Sequence, residues 1–93
     1  MEILSEKLIG FKTDMMNKLI QVAWKYGGLE NPNSVTSDSF DWSNNETASA
    51  IERHLLREVA EFLLAKPDNR KIELVDIANC AFLLAAMIEE GAI

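Results

Sequence analysis

The chain has 93 residues, 48% of them hydrophobic, and a net charge of −6. That is apolar material for one small globular domain and too much for a disordered chain. The negative charge argues against nonspecific binding to nucleic acid or to an anionic membrane. A chain this small buries a limited share of its surface, so association with a second copy is expected.

Cys80 is the only cysteine and His54 the only histidine. They exclude an intramolecular disulfide and a cysteine zinc site, and they leave little for a Cys–His catalytic pair. The amino terminus, Met1 to Glu6, is acidic and amphipathic and does not read as a signal peptide. The longest apolar run, Ile77 to Ile88, is interrupted by Asn79. It falls short of the ~20 residues a membrane span needs. The expectation is a soluble, cytoplasmic protein with neither membrane nor nucleic acid as partner.

The first predicted element is a long helix over about 3–26. Leu4, Leu8, Phe11, Met15, Leu19, Val22 and Tyr26 recur at spacings of three and four, one continuous stripe. Gly27-Gly28 stops it, since glycine takes the left-handed conformation readily. Residues 29–45 read as loop and contain two large rings, Phe40 and Trp42. Loops of this length within a compact domain are uncommon and often functional.

The second helix is expected over about 44–65. Ser43-Asn44-Asn45-Glu46 fits a capping box with the serine at the cap. Ile51, Leu55, Val59 and Phe62 form its apolar stripe, with Ala48 and Leu63 beside it. Lys66-Pro67-Asp68-Asn69 then turns the chain, Asp68 or Asn69 capping a third helix over about 69–90 before Gly91. From Ile72 to Ile88 the only polar residues are Glu73, Asp76 and Asn79. A helix apolar on every side needs cover on every side. The reading is all-α: a single domain over 1–93, an antiparallel bundle of three main helices completed by oligomerisation through the first and third.

The second helix carries Glu58 and Glu61, the third Glu73 and Asp76. Each pair is spaced i, i+3 and shares a helix face. With Ile51 at zero on a helical wheel, Phe62 falls at about 20°, Glu58 at about −20°, His54 at about −60° and Glu61 at about −80°. Glu58 therefore lies beside the core stripe. A solvated acidic face explains one such pair but not two, on consecutive antiparallel helices, both leaning inward. Unpaired buried carboxylates are costly, so something must compensate them. Arg57 and Arg70 point elsewhere, and four converging oxygen donors suit Mg²⁺ or Mn²⁺. His54, one turn before Glu58, reads as a rim residue or a partner of a ligand, because hard cations prefer oxygen.

Arg57-Glu58-Val59-Ala60-Glu61 followed by Glu73-Leu74-Val75-Asp76-Ile77-Ala78-Asn79 resembles the signature of the MazG-type nucleoside triphosphate pyrophosphohydrolases, Glu-x-x-Glu then Glu-x-x-Asp. His54-Leu55-Leu56 is also similar to members of that group. The resemblance covers roughly the last half of the chain. It implies that Glu58, Glu61, Glu73 and Asp76 bind magnesium, that the substrate is a nucleoside triphosphate, deoxy or non-standard forms included, and that the products are monophosphate and pyrophosphate. It also implies a homodimer or homotetramer of helices. There are departures. Arg57 stands where the family often has a further Glu, and the sequence ends at Ile93 where many members continue into a fourth helix with basic residues.

Within that reading Glu58, the deepest acid, is the candidate for activating the attacking water. Trp42 is a candidate wall for the base, Trp24 fits the helical core pattern, and Asn79, Lys18, Lys25 and His54 are candidate substrate contacts. Two other classes compete. One is a non-catalytic helical oligomerisation or protein-interaction module with a relic acidic patch. The other is a di-iron carboxylate bundle, which wants Glu-x-x-His pairs that the sequence lacks.

Overall fold

The computed structural model describes residues 1–22 and 35–93. Among the described residues there are three α-helices and no strand, so the all-α reading holds. The chain divides into two compact units, residues 1–40 and 41–93.

The first unit contains α1, Glu2–Val22. One face carries Phe11, Asp14, Met15, Lys18, Leu19 and Val22, all half-buried. The expected stripe is therefore present over its second half. Its first half is not covered: Leu4 and Leu8 are more than half exposed, as are Ile9, Met16 and Ile20. No residue of α1 is fully buried. The expected end of this helix near residue 26, with Trp24, Lys25, Tyr26 and the two glycines, lies outside the described residues, as does the first part of the predicted loop.

The second unit opens with a tight turn. The Asp41 carboxylate accepts hydrogen bonds from the Ser43 hydroxyl at 2.6 Å and the Ser43 amide at 3.0 Å. Those two bonds hold its carboxyl below the usual aspartate value. Ser43 is thereby occupied, and the cap of the next helix moves one residue on from the expected serine. In α2, Asn45–Leu64, the Asn44 side chain accepts from the Thr47 amide at 3.0 Å. That satisfies one of the open amides of the first turn.

Pro67–Asn69 form a single 3-10 turn. Asn69 stands at the cap position of α3, Arg70–Glu89, without a side-chain cap bond. The far end of α3 closes with Gly91 at φ 83°, its amide on the Ile88 carbonyl and the Ala92 amide on the Met87 carbonyl. This is the paired-bond termination that the left-handed glycine permits. The Asn45 side-chain amide then donates to the Ala92 carbonyl at 2.8 Å, tying the start of α2 to the end of α3.

The two helices thus run antiparallel and pack along each other. Ala48 and Ile51 of α2 are buried, and so are Val75, Cys80, Leu83 and Met87 of α3. The apolar stripe of α2 is narrower than its sequence implied. Leu55 and Phe62 are half-buried, Val59 is 38% exposed and Leu63 68% exposed. On α3, Met87 belongs to the core whereas Phe82 is half exposed. Among the described residues no helix is long and apolar enough to cross a membrane.

Candidate metal centre

Glu58 follows Ile51 by two helical turns, and this register carries it to the packed side of α2. It is 3% exposed, as buried as the core. Opposite it, the short turn after α2 brings the first two turns of α3 alongside, with Glu73 and Asp76 three residues apart on one face and both half-buried. One carboxylate oxygen from each of Glu58, Glu73 and Asp76 lies within 4.8 Å of the others.

The hydrogen bonding is incomplete in an informative way. Oε1 of Glu58 lies 3.0 Å from Nε2 of His54, one turn earlier on α2. Oε2 of Glu58 and Oε2 of Glu73 are buried with no hydrogen-bond partner. Buried polar atoms are nearly always satisfied, so two orphaned oxygens in one cluster call for a counterpart. Burial pushes the Glu58 carboxyl from its ordinary 4.5 up to about 7, and the charges of Asp76, Glu61 and Glu73 push in the same direction. The nearby Glu61 carboxyl adds to the rise.

Neither arginine that the sequence offered partners the two orphaned oxygens. Arg57 is exposed, and the Arg70 guanidinium lies over the Phe62 ring, 4.4 Å from its centroid. The donor set is all oxygen, converges from two helices and keeps two unpartnered carboxylate oxygens. Those features fit a hard divalent cation.

The four expected ligands are therefore not equivalent. Glu58, Glu73 and Asp76 form the cluster, while Glu61 is exposed and acts on Glu58 through its charge. The wheel angle of Glu61, well outside that of Glu58, was the signal for this difference. His54 sits at the edge, 21% exposed at its side chain and in contact with Glu58. Asn79 is buried one turn beyond Asp76. Trp42 is half-buried in the turn that leads into α2, and Lys18 lies on α1 in the other unit. Lys25 lies outside the described residues.

No protein-family model matches the sequence, and neither a curated protein nor a solved structure shows significant similarity to the chain.

Proposed function

We propose that the protein is a Mg²⁺- or Mn²⁺-dependent nucleoside triphosphate pyrophosphohydrolase of the MazG type, acting in nucleotide-pool housekeeping. One observation carries the reading: a carboxylate as buried as the core, with an orphaned oxygen, facing two further carboxylates across a helix pair. A structural acid would be expected to have a basic or hydrogen-bonding partner at each oxygen.

Glu58, Glu73 and Asp76 would hold the cation. When bound, it neutralises the phosphates and polarises the phosphorus under attack. The proton of the attacking water needs an accessible acceptor. Glu58 is poorly suited to that role, because it is buried and its Oε1 is engaged by His54. Glu61, whose carboxyl is exposed and acts on Glu58 from beside the cluster, suits it better. Attack of water on the α- or the β-phosphorus breaks the anhydride bond between them and yields monophosphate and pyrophosphate. Trp42, half-buried in the same unit, is the candidate for contacting the base.

The decisive assay is pyrophosphate release from a panel of canonical and modified nucleoside triphosphates, with and without Mg²⁺. Metal-dependent pyrophosphate from at least one nucleotide is expected, lost in Glu73→Gln and Glu61→Gln. A panel without release, or release of single phosphates, removes the reading.

A second reading, a helical module that assembles without catalysis, is favoured by the apolar side chains left open. Leu56, Leu63 and Leu64 on α2 and Phe82 on α3 are each at least half exposed. Patches of that kind mark association surfaces. Assembly into a homodimer or homotetramer is common to both readings. Light scattering at micromolar concentration should show it, and Phe82→Glu should weaken it without unfolding the chain. An assembled protein that binds no divalent cation would select the second reading.

A further inference from the structure

We infer that His54 is a positioning residue: by holding Oε1 of Glu58 it leaves Oε2 as the single coordinating oxygen, and it biases the centre toward small octahedral cations over calcium. The inference rests on the metal-centre reading above.

The geometry separates the two oxygens of one carboxylate. Oε1 lies 3.0 Å from His54 Nε2, while Oε2 is buried and unpartnered. For an ionised Glu58 the contact requires Nε2–H, so the imidazole donates and the carboxylate accepts. A bidentate carboxylate sits with both oxygens on the ion, and here that would require Oε1 to be shared with the imidazole. Monodentate binding through Oε2 leaves the His54 contact intact, and the Glu58 carboxylate has an oxygen within 4.8 Å of oxygens from Glu73 and Asp76.

The consequence is selectivity. Calcium takes about 6–8 oxygens at flexible geometry and commonly uses both oxygens of a glutamate. Magnesium, and manganese with similar preferences, takes about six single oxygens in a tight octahedron. A glutamate with one oxygen tied down suits the second coordination pattern. His54 is not itself needed as a ligand, since hard cations prefer oxygen and its Nε2 is already engaged with Glu58. Fixing a ligand through its outer partner is a common device in metal sites, and loss of such a partner changes affinity by about 10–100-fold.

Two substitutions separate positioning from packing. His54→Phe keeps a ring and loses the donor. His54→Gln loses the ring and keeps an N–H within reach of a glutamate one turn on. Mn²⁺ and Ca²⁺ are titrated calorimetrically into the full chain of the parent and both variants, with metal-free melting recorded beside each titration. The parent should prefer Mn²⁺. His54→Phe should narrow the Mn²⁺/Ca²⁺ affinity ratio by about tenfold, while His54→Gln stays near the parental ratio. A parental ratio in His54→Phe overturns the inference and leaves the metal centre standing. So does a narrowed ratio in His54→Gln with none in His54→Phe, because that pattern marks a ring needed only for packing. A parent that binds neither ion overturns the metal-centre reading, and the inference with it.

Discussion

At one end of the α2–α3 pair, Ala48, Ile51, Leu83 and Met87 are buried and the Asn45 side chain ties the helix ends together through the Ala92 carbonyl. Toward the turn, the same two helices bury Glu58 against Glu73 and Asp76 and leave two oxygens without partners. The first half gains free energy on folding and the second loses some. Burying apolar side chains is favourable by roughly 1.5–3 kcal/mol each, whereas burying like charges together is unfavourable until something compensates them. The contrast separates the part of the pair that holds the fold from the part that holds a function.

The largest effect should come from the apolar half. Leu83 is 0% exposed. Leu83→Ala removes its contacts and should cost about 2–5 kcal/mol, a large share of a small domain's stability. Denaturant titration checks it. A cost below about 1 kcal/mol would mean that the apolar end is not the part holding the pair together.

The acidic half should respond with the opposite sign. Glu58→Gln keeps the shape and the acceptor for His54 while it removes a buried charge. In the metal-free protein at pH 8 the variant should melt several degrees higher than the parent, corresponding to about 1 kcal/mol. The pH dependence follows from the raised carboxyl. Its folded value of about 7 exceeds its ordinary 4.5, so the protonated form favours the fold. That contribution is complete below about pH 4.5 and is lost as pH rises through about 7. The gain from Glu58→Gln should therefore vanish near pH 4, and magnesium should raise the melting point of the parent more than that of the variant. A variant that melts lower than the parent at pH 8 would make Glu58 a structural acid.

The smallest effect concerns neither half but the entry to α2. Asn44→Ala removes the acceptor for the Thr47 amide and should cost about 1 kcal/mol. Ser43→Ala should cost less than that in the same melts, because Ser43 bonds to Asp41 and not to the helix. If the serine substitution proves the more damaging, the cap is where the sequence first suggested.

The helices and the depth of Glu58 were legible because periodicity decides both. A residue two turns from Ile51 shares its side of the helix whatever its charge. What periodicity does not carry is the width of the buried stripe, which depends on what lies opposite. Val59 and Leu63 continue the apolar pattern and still face open space. Leu4 and Leu8 do the same on α1. The cap was misplaced by one residue because serine and asparagine cap equally well, and the choice was made by Asp41, whose turn engages Ser43. Phe82 and Met87 look alike in a helix apolar all round, and only the partner helix separates them. The orphaned oxygens had no sequence signal, since a motif names residues and not the atoms left unpaired.

The turn Pro67–Asn69 has a kinetic consequence. Glu58 and Glu73 are 15 positions apart along the chain, whereas Asn45 and Ala92 are 47 apart. Contacts that close short loops form at lower entropic cost and tend to form first. A hairpin that zips from its turn therefore brings its acids together before its apolar end has closed, and their repulsion stands on the way up the barrier. Divalent cations should accordingly act on the refolding rate more than on the unfolding rate. Stopped-flow refolding and unfolding with and without magnesium would show it. A response confined to unfolding would mean that the hairpin zips from its open end, or that the acids meet only after the barrier has been crossed.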